Sequence, residues 1–250
     1  MVDILNELET TGWACLKSFL TEEDLIHLEA SYSFCNRYQQ MTEEQLFTHD
    51  VPLPNTSMQK MLNQWLNPHK MKGHASTSVL AEKIRIRLTS ILNYKPVLFQ
   101  DVIMSKNQNH QTLHWHQDFS YWPVSKPEGV ILWCPLQDCD PSNGVVGFSS
   151  GSHLIGIGPA IDLTTGNPQN LTCETTTPTL IASYPSMKRG DAIIFTPLLW
   201  HKSGENSSSE ERVAWSSSWL HPENTWDLNR APNHPLSRKL IDGTIVTEVP

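Results

Sequence analysis

The first 95 residues carry the hydrophobic pattern of helices. Apolar side chains recur at three- and four-residue steps in a stretch without glycine or proline, which predicts an amphipathic helix. The positions are Leu80, Ile84, Leu88 and Ile91. A helix start at Thr42 with Gln45 and a helical run over residues 57–66 are also predicted.

Another helix is predicted to begin at Thr21. The Thr21 side chain can accept a hydrogen bond from the backbone of the first turn, and the Asp24 side chain can accept one from the backbone N–H of Thr21. This arrangement is known as a capping box. Leu20, just before the cap, can pack on Leu25 inside the helix. The local chemistry therefore marks a helix N-terminus here.

After Pro96 the pattern changes to short apolar or alternating runs separated by turn residues. These runs predict strands over residues 97–104, 130–136, 145–148, 180–184, 192–196 and 213–220. In the last run Val213, Trp215 and Trp219 share one face and Ser216 and Ser218 share the other, because side chains alternate along a strand. The second part of the chain is therefore predicted to be rich in strands.

Helices followed by many short strands predict an α+β chain that is mainly β. The expected architecture is a double-stranded β-helix, the jelly roll of which cupins are one example, with helices from the N-terminal third packed on one sheet. One domain is expected over 1–250, with a mostly helical part (1–95), a jelly-roll core that carries the site (96–220) and a tail (221–250). The long segment 156–178 is expected to be a loop near the mouth of the pocket.

The charge and the cysteine content limit the classes of partner and the cell compartment that fit this sequence. The formal net charge of −8, without clusters of Lys and Arg, argues against nucleic acid and anionic membrane as partners. The acidic N-terminus does not resemble a secretory signal, and the apolar stretches are too short to cross a bilayer. The five cysteines include no C-x-x-C pair, which favours a reducing cytoplasm over a disulfide framework. The expected partner is a small-molecule substrate, and the oligomeric state is left open.

The densest cluster of potential metal ligands is the sequence HWHQD at residues 114–118. Positions two apart on an extended chain face the same side, so His116 and Asp118 can point at one metal ion. His201, directly after an apolar run, offers a third ligand. Two imidazoles and one carboxylate form the triad of non-haem Fe(II) oxygenases, which leaves three coordination positions open. His114 shares the same face, and a role other than metal ligand is expected because the triad is complete without it.

Arg212 and Ser203 are candidates for a second part of the site. A cosubstrate that chelates the metal through a keto acid still has a distal carboxylate, and the planar guanidinium of an arginine binds such a group bidentately. Ser203, two residues after the third ligand, can add a hydroxyl. The alternative for Arg212 is an ion pair with Glu210 or Glu211, its neighbours in the sequence.

Three motifs resemble the phytanoyl-CoA dioxygenase-like family of Fe(II)- and 2-oxoglutarate-dependent oxygenases. They are HQDFSYWP at 116–123, NG at 143–144 leading to SGSH at 150–153, and PLLWHKSGEN at 197–206 followed by Arg212. Their order, spacing and strand context agree, and such a set is far more specific than H-x-D alone. The motif region runs from about Met104 to Trp219.

The resemblance implies that His116, Asp118 and His201 bind Fe(II) and form the catalytic centre. It also implies that Arg212 and Ser203 hold the distal carboxylate of 2-oxoglutarate, and that Trp133 lies beside this cosubstrate. The implied reaction consumes O2, converts 2-oxoglutarate to succinate and carbon dioxide, and hydroxylates or otherwise oxidises a small metabolite. Because the carboxylate ligand is present, oxidation is favoured over halogenation.

Two other functions are compatible with parts of the pattern. His114, His116 and Asp118 superficially match the H-x-H-x-D motif of zinc metallo-hydrolases, although Phe119 stands where that motif has a final histidine. A non-catalytic, cupin-like binding module would keep the same scaffold without turnover. The substrate itself is not encoded in the motifs, because they transfer the iron and cosubstrate chemistry and not the variable pocket.

Overall fold

In the described part of the chain, α-helices and single strands alternate before Pro96, and the other strands follow it. The structure is a computed structural model and describes residues 3–37, 62–70, 76–161, 180–232, 234, 237 and 240–247. The helices are α1 (Ile4–Thr10), α2 (Glu22–Arg37) and α3 (Ser76–Leu92). The strands are β1 (Trp13–Leu16), β2 (Asn63–Leu66), β3 (Val97–Lys106), β4 (Leu113–His116), β5 (Gly129–Pro135), β6 (Val146–Phe148), β7 (Ala192–Phe195), β8 (His201–Ser203) and β9 (Arg212–Leu220). Short 3-10 turns lie at Pro68–Lys70, Asp118–Tyr121 and Ser152–Ile155.

The strands form two antiparallel sheets. The major sheet has six strands in the order β1-β7-β5-β9-β3-β2, and the minor sheet has three in the order β4-β8-β6. Phe148 of β6 in the minor sheet packs against Phe195 of β7 in the major sheet, with ring centroids 5.1 Å apart. The architecture is thus a mainly β jelly roll, as predicted.

Two hydrophobic cores lie on opposite faces of the major sheet. The helix-side core joins α2 and α3 to the outer face through side chains such as Leu28, Ile84 and Trp215, all fully buried. The inter-sheet core fills the space between the sheets and includes Phe148 and Phe195. The helices therefore brace one face of the sheet and leave its other face to build the site.

The alternation predicted for β9 decides which residues serve each core. Val213, Trp215 and Trp219 belong to the helix-side core. Ser216 and Ser218 face the other way and line a cavity between the sheets. The two-residue alternation along this one strand therefore sends one set of side chains into the helix-side core and the other set to the cavity.

The helix start at Thr21 is confirmed. The Asp24 carboxylate accepts a hydrogen bond from the Thr21 backbone N–H (2.9 Å), and the Thr21 hydroxyl accepts one from the Asp24 backbone N–H (3.2 Å). Leu20 and Leu25 are both buried in the helix-side core. The amphipathic helix of the 80–91 pattern is also confirmed, as α3.

Two of the predicted elements are wrong, and a third falls on residues that the structure does not describe. The run 57–66 is predicted to be helical, but Asn63–Leu66 is strand β2, paired antiparallel with β3. Its edge position in the sheet overrides local helix propensity, because its backbone hydrogen bonds and the burial of Trp65 come from tertiary contacts. The run 180–184 forms only an isolated bridge between Ser183 and Phe148 rather than a strand. The helix start at Thr42 and Gln45 lies outside the described residues.

Strand β1 has no counterpart among the predicted elements, and it pairs with β7 at one edge of the major sheet.

Four of the cysteines lie in the described ranges and all four are free thiols, three of them buried. Burial raises the pKa of Cys134 and Cys139, so these thiols behave as small apolar side chains. In the described part of the chain, no helix combines the length and apolar character needed to cross a bilayer.

Candidate metal centre and its cavity

The three predicted ligands converge at one end of the minor sheet. The Asp118 Oδ1 atom lies 3.7 Å from His116 Nε2 and 3.6 Å from His201 Nε2. One ligand atom from each residue lies within 4.8 Å of the others. This spacing suits a single metal ion bound by two imidazoles and one carboxylate.

Strand pairing brings the distant ligands together. His116 ends β4 and His201 begins β8, and the two residues are register partners in the minor sheet. The extended backbone of Gln117 (φ −119°, ψ 132°) carries the chain into the 3-10 turn that begins at Asp118. The two-residue spacing therefore does place the carboxylate beside the imidazole, as the pattern predicts.

Both imidazoles are oriented by the same kind of hydrogen bond, from Nδ1 to a nearby main-chain carbonyl oxygen. His116 Nδ1 lies 2.8 Å from the carbonyl oxygen of His114, and His201 Nδ1 lies 2.9 Å from that of Leu199, in each case two residues earlier. A neutral imidazole that donates from Nδ1 presents the Nε2 lone pair to a metal. Each Nε2 atom therefore faces the space beside Asp118.

Burial sets the protonation of the cluster. It lowers the pKa of His116 to about 4, with the neighbouring His201 contributing, and it lowers the pKa of His201 to about 4. Both rings are therefore neutral near pH 7, the form that binds metal. Burial also raises the pKa of Asp118, although His116 opposes the shift. A bound cation would favour the ionised carboxylate.

The imidazole of His114 is not part of the cluster that the described residues form. Its contribution to the site is the carbonyl oxygen that accepts from His116. The structure thus supports the expected non-ligand role. It also weakens the zinc-hydrolase alternative, which needs this ring among the ligands.

Gln117, between two of the ligands, is almost completely buried and braces the site. Its amide nitrogen donates to the carbonyls of Gly156 (2.9 Å) and Leu198, and its amide oxygen accepts from the Gly158 N–H (2.6 Å). These bonds join the turn that carries Asp118 to the segment that leads to the third ligand. They also place residues 156–158 beside the metal centre, while most of the predicted loop 156–178 lies outside the described residues.

Arg212, Ser203 and Trp133 also lie together. The Arg212 Nη2 atom is 3.4 Å from Ser203 Oγ, and its guanidinium carbon is 5.5 Å from the Trp133 ring centroid. Within the described ranges Arg212 forms no ion pair with Glu210 or Glu211, which removes that alternative. Burial lowers its pKa to about 10, so the side chain remains charged at neutral pH.

The guanidinium has spare hydrogen-bonding capacity. Arg212 is only 1% exposed, and its Nε and Nη1 atoms have no hydrogen-bond partner among the residues that the structure describes. A buried charge left with unpaired donors is costly unless a ligand completes the bonds. The arrangement therefore points to an anionic group bound beside Arg212.

A cavity of about 230 Å³ opens over the triad. Ser203 and Trp133 line it together with the three ligands, so the space extends toward Arg212. The remaining lining comes largely from β2, β3 and β9 and is mostly apolar or uncharged polar, with Lys202 as a charged member. Among its members are Leu62, Gln64, Leu66, Gln100, Val102, Met104, Trp122, Ser216, Ser218 and His234.

Several of these residues are missed by the sequence reasoning. The side chains of Gln64 and Leu66 reach the cavity only because β2 is a strand at the sheet edge. Gln100, Ser216 and Ser218 belong to no recognisable motif. Only the alternation of side chains along their strands could have indicated that they face the cavity. Burial lowers the pKa of His234 to about 4, so this lining side chain is neutral at pH 7.

A jelly roll that presents a 2-His-1-carboxylate cluster to a cavity is the arrangement of non-haem iron oxygenases. The family model for phytanoyl-CoA dioxygenase (PhyH) matches residues 8–214, and the chain belongs to this family. The match covers both the helical N-terminal part and the strands that carry the triad.

Comparisons with individual proteins agree with this family. A probable alpha-ketoglutarate-dependent hypophosphite dioxygenase from Stutzerimonas stutzeri is 26% identical over 106 residues, which cover 42% of this chain and 37% of that protein. The crystal structure of the carbocyclase SnoK from nogalamycin biosynthesis aligns with a TM-score of 0.73 at 15% identity, over 98% of this chain and 93% of that one. The epimerase SnoN in complex with Fe3+, alpha ketoglutarate and nogalamycin RO aligns with a TM-score of 0.70 at 16% identity, over 90% and 84%. At these identities the structural likeness shows a shared fold.

Proposed function

We propose that the protein is an Fe(II)- and 2-oxoglutarate-dependent dioxygenase that oxidises a small molecule. The observation that carries this proposal is the presence of two features at one cavity. Three metal-ligand atoms converge at the cavity, and a buried guanidinium with unpaired donors lies directly behind Ser203 and Trp133, which line it. A metal-chelating dicarboxylic cosubstrate needs both.

The residues present fit the proposed groups. His116, Asp118 and His201 supply the donor set preferred by non-haem Fe(II) and leave coordination positions open. Arg212 supplies a charged fork for the distal carboxylate of 2-oxoglutarate, and the Ser203 hydroxyl, which donates to the Gly144 carbonyl oxygen (3.2 Å) in the structure, would rotate to donate to the same carboxylate. When bound, iron and 2-oxoglutarate supply the oxidation, in which O2 and 2-oxoglutarate give succinate, carbon dioxide and an oxygenated substrate.

The protein's own contribution is placement and exclusion of water. Main-chain carbonyls fix the two imidazoles, and Gln117 fixes the turn that bears the carboxylate. Phe195 packs on the ring of His201, with centroids 4.9 Å apart, and keeps water from one side of the ligand. Because Asp118 completes the donor set with a carboxylate, we propose hydroxylation or a related oxidation of the substrate.

The cavity favours a small substrate with both apolar and polar parts, and Lys202 adds one positive charge to the lining. Gln64, Gln100, Ser216 and Ser218 line it and form no side-chain hydrogen bond with any part of the chain that the structure describes. Their donors and acceptors are therefore available to a ligand. Leu66 and Trp122 supply apolar lining.

The test is anaerobic addition of Fe(II) and 2-oxoglutarate to metal-free protein, followed by visible absorption. We expect the charge-transfer band of the metal-bound keto acid in the wild type and in His114→Ala, whose main-chain carbonyl is unchanged. We expect no band in His201→Ala. A folded wild-type protein that gives no band would contradict the proposal.

Turnover separates an enzyme from a binding module. Oxygen consumption and succinate release are measured across a panel of metabolites with the iron-loaded protein. Substrate-dependent succinate release supports the dioxygenase. A clear band without succinate release for any compound would favour a non-catalytic module.

A further inference from the structure

A second buried cation lies beside Arg212. Lys106 ends β3 and is the register partner of Arg212 on β9. Its exposed fraction is 0%, compared with 1% for Arg212. Among the described residues neither side chain forms an ion pair, so two neighbouring positive groups are buried without a bound carboxylate.

Main-chain carbonyls hold the Lys106 ammonium in place. Its Nζ atom donates to the carbonyl oxygens of Gln111 (2.7 Å), Ser203 (3.4 Å) and Gly204. These bonds satisfy the donors, but a carbonyl does not neutralise a charge. Ser203 thus contacts both cations, through its carbonyl oxygen and through its hydroxyl.

The stem of Lys106 is also tightly enclosed. Gly144 has φ +77°, and a Cβ there would lie 3.2 Å from Lys106 Cδ and 2.9 Å from the carbonyl oxygen of Gly204. Glycine at this position therefore lets the chain close over the lysine. The enclosure keeps water away from the cation and makes its charge sensitive to its neighbours.

The charged and titratable groups around Lys106 explain its state. Burial, together with the charge of Arg212 on β9, lowers the pKa of Lys106 to about 7, and Glu205 after β8 opposes the shift. His110, in the segment before β4, has its own pKa lowered by burial and by Lys106. Near neutral pH the lysine therefore gains or loses its proton according to the charge beside it.

We propose that Lys106 is a positioning residue of the cosubstrate site that takes up a proton from solvent when the distal carboxylate of 2-oxoglutarate binds Arg212. The carboxylate cancels the repulsion from the guanidinium, so the ammonium form becomes favourable. The added positive charge then strengthens binding, although Lys106 itself does not line the cavity. This inference rests on the proposed function of the same site.

The coupling between protonation of Lys106 and binding of 2-oxoglutarate predicts how the affinity changes with pH. Below about pH 7 the lysine is already protonated in the free protein, so the affinity for 2-oxoglutarate is independent of pH. Above pH 7 each binding event takes up a proton, and the affinity falls by up to about tenfold per pH unit. The fall stops where the lysine of the complex itself loses its proton.

The test is anaerobic calorimetry of 2-oxoglutarate binding to the Fe(II)-loaded protein between about pH 6 and pH 9, in buffers of different ionisation enthalpy. We expect uptake of up to about one proton near pH 8 in the wild type. For Lys106→Met we expect no uptake, weaker binding at pH 6 and little dependence of Kd on pH. Lys188→Met, at an exposed lysine, is the matched control and should behave as the wild type.

The outcomes separate this inference from the proposed function. Proton uptake is measured on the wild-type protein, so the test stands even if Lys106→Met does not fold. Normal 2-oxoglutarate binding without proton uptake, and with pH-independent Kd, would overturn the role of Lys106 alone. Failure of 2-oxoglutarate to bind at any pH would instead overturn the proposed function.

Discussion

Each histidine of the triad is fixed by a carbonyl two residues earlier in its own segment. His116 uses His114 and His201 uses Leu199, so the backbone that positions the ring also selects its tautomer. The low pKa of both rings keeps them neutral well below pH 7. A metal ion therefore does not have to displace protons from the imidazoles near neutral pH.

Replacement of Arg212 by alanine should weaken 2-oxoglutarate binding by roughly 100-fold. The reason is loss of charge-assisted hydrogen bonds in a buried site, which contribute about 3 kcal/mol. Anaerobic titration of the Fe(II)-loaded protein with 2-oxoglutarate measures the change in Kd. Arg189→Ala, at a partly exposed arginine paired with Glu22 and Glu29, should leave Kd unchanged. Equal Kd values for wild type and Arg212→Ala would show that the cosubstrate binds elsewhere.

Gln117→Leu should lower Fe(II) affinity by about 10- to 100-fold, the range observed when groups that orient metal ligands are removed. The leucine fills similar space but cannot bond to Gly156, Gly158 and Leu198. Competition with a calibrated metal chelator gives the affinity. Gln111→Leu, at an exposed glutamine, is the control. Unchanged metal affinity in a folded Gln117→Leu protein would mean that these bonds do not position the carboxylate.

At the scale of elements, long periodic segments are predictable from the sequence and short edge strands are not. Helix α3 and strand β9 follow patterns of many residues, so their faces are set by sequence period. Strands β1 and β2 have four residues each and form at the edges of the major sheet. Such short edge strands depend on their neighbours for hydrogen bonds, and no local signal is strong enough to mark them.

Thr21→Ala should destabilise the protein by about 1 kcal/mol, because the first turn of α2 loses its capping bond. Asp24 would keep its ion pair with Arg87 (2.6 Å), so the fold should persist. Chemical denaturation measures the free energy of unfolding. Thr10→Ala, which removes an exposed hydroxyl bond within α1, should change it by less than about 0.5 kcal/mol. A cost at Thr21 no larger than at Thr10 would contradict the assigned role of the cap.

At the scale of the whole molecule, the site exists only because both sheets are assembled. The residues of the triad come from β4, a 3-10 turn and β8, whereas Arg212 comes from the major sheet. Helices α2 and α3 support the outer face of that sheet through the helix-side core. An unfolded chain would not bring these groups together, so ligands of the site should bind the folded state alone.

Fe(II) and 2-oxoglutarate together should therefore raise the melting temperature under anaerobic conditions. At a free ligand concentration of about 100 times Kd the expected stabilisation is about 2.7 kcal/mol. Thermal unfolding monitored by fluorescence or circular dichroism checks this, and a metal chelator should reverse the shift. His201→Ala should show no increase. An equal increase in that variant would place the stabilising site away from the triad.

The sequence by itself determined helices α2 and α3, strands β3, β5, β6, β7 and β9, the two faces of α3 and of β9, the capping of α2, and the three residues of the candidate metal centre. It could do so because periodicity and capping act over a few residues, and because the ligand motifs are distinctive in type and spacing. The tertiary structure decided the rest. It made β1, β2, β4 and β8 strands, brought Gln64, Gln100 and the serine face of β9 to one cavity, and buried Lys106 next to Arg212. These features arise from pairing between segments far apart in the chain, and no local pattern of residues encodes such contacts.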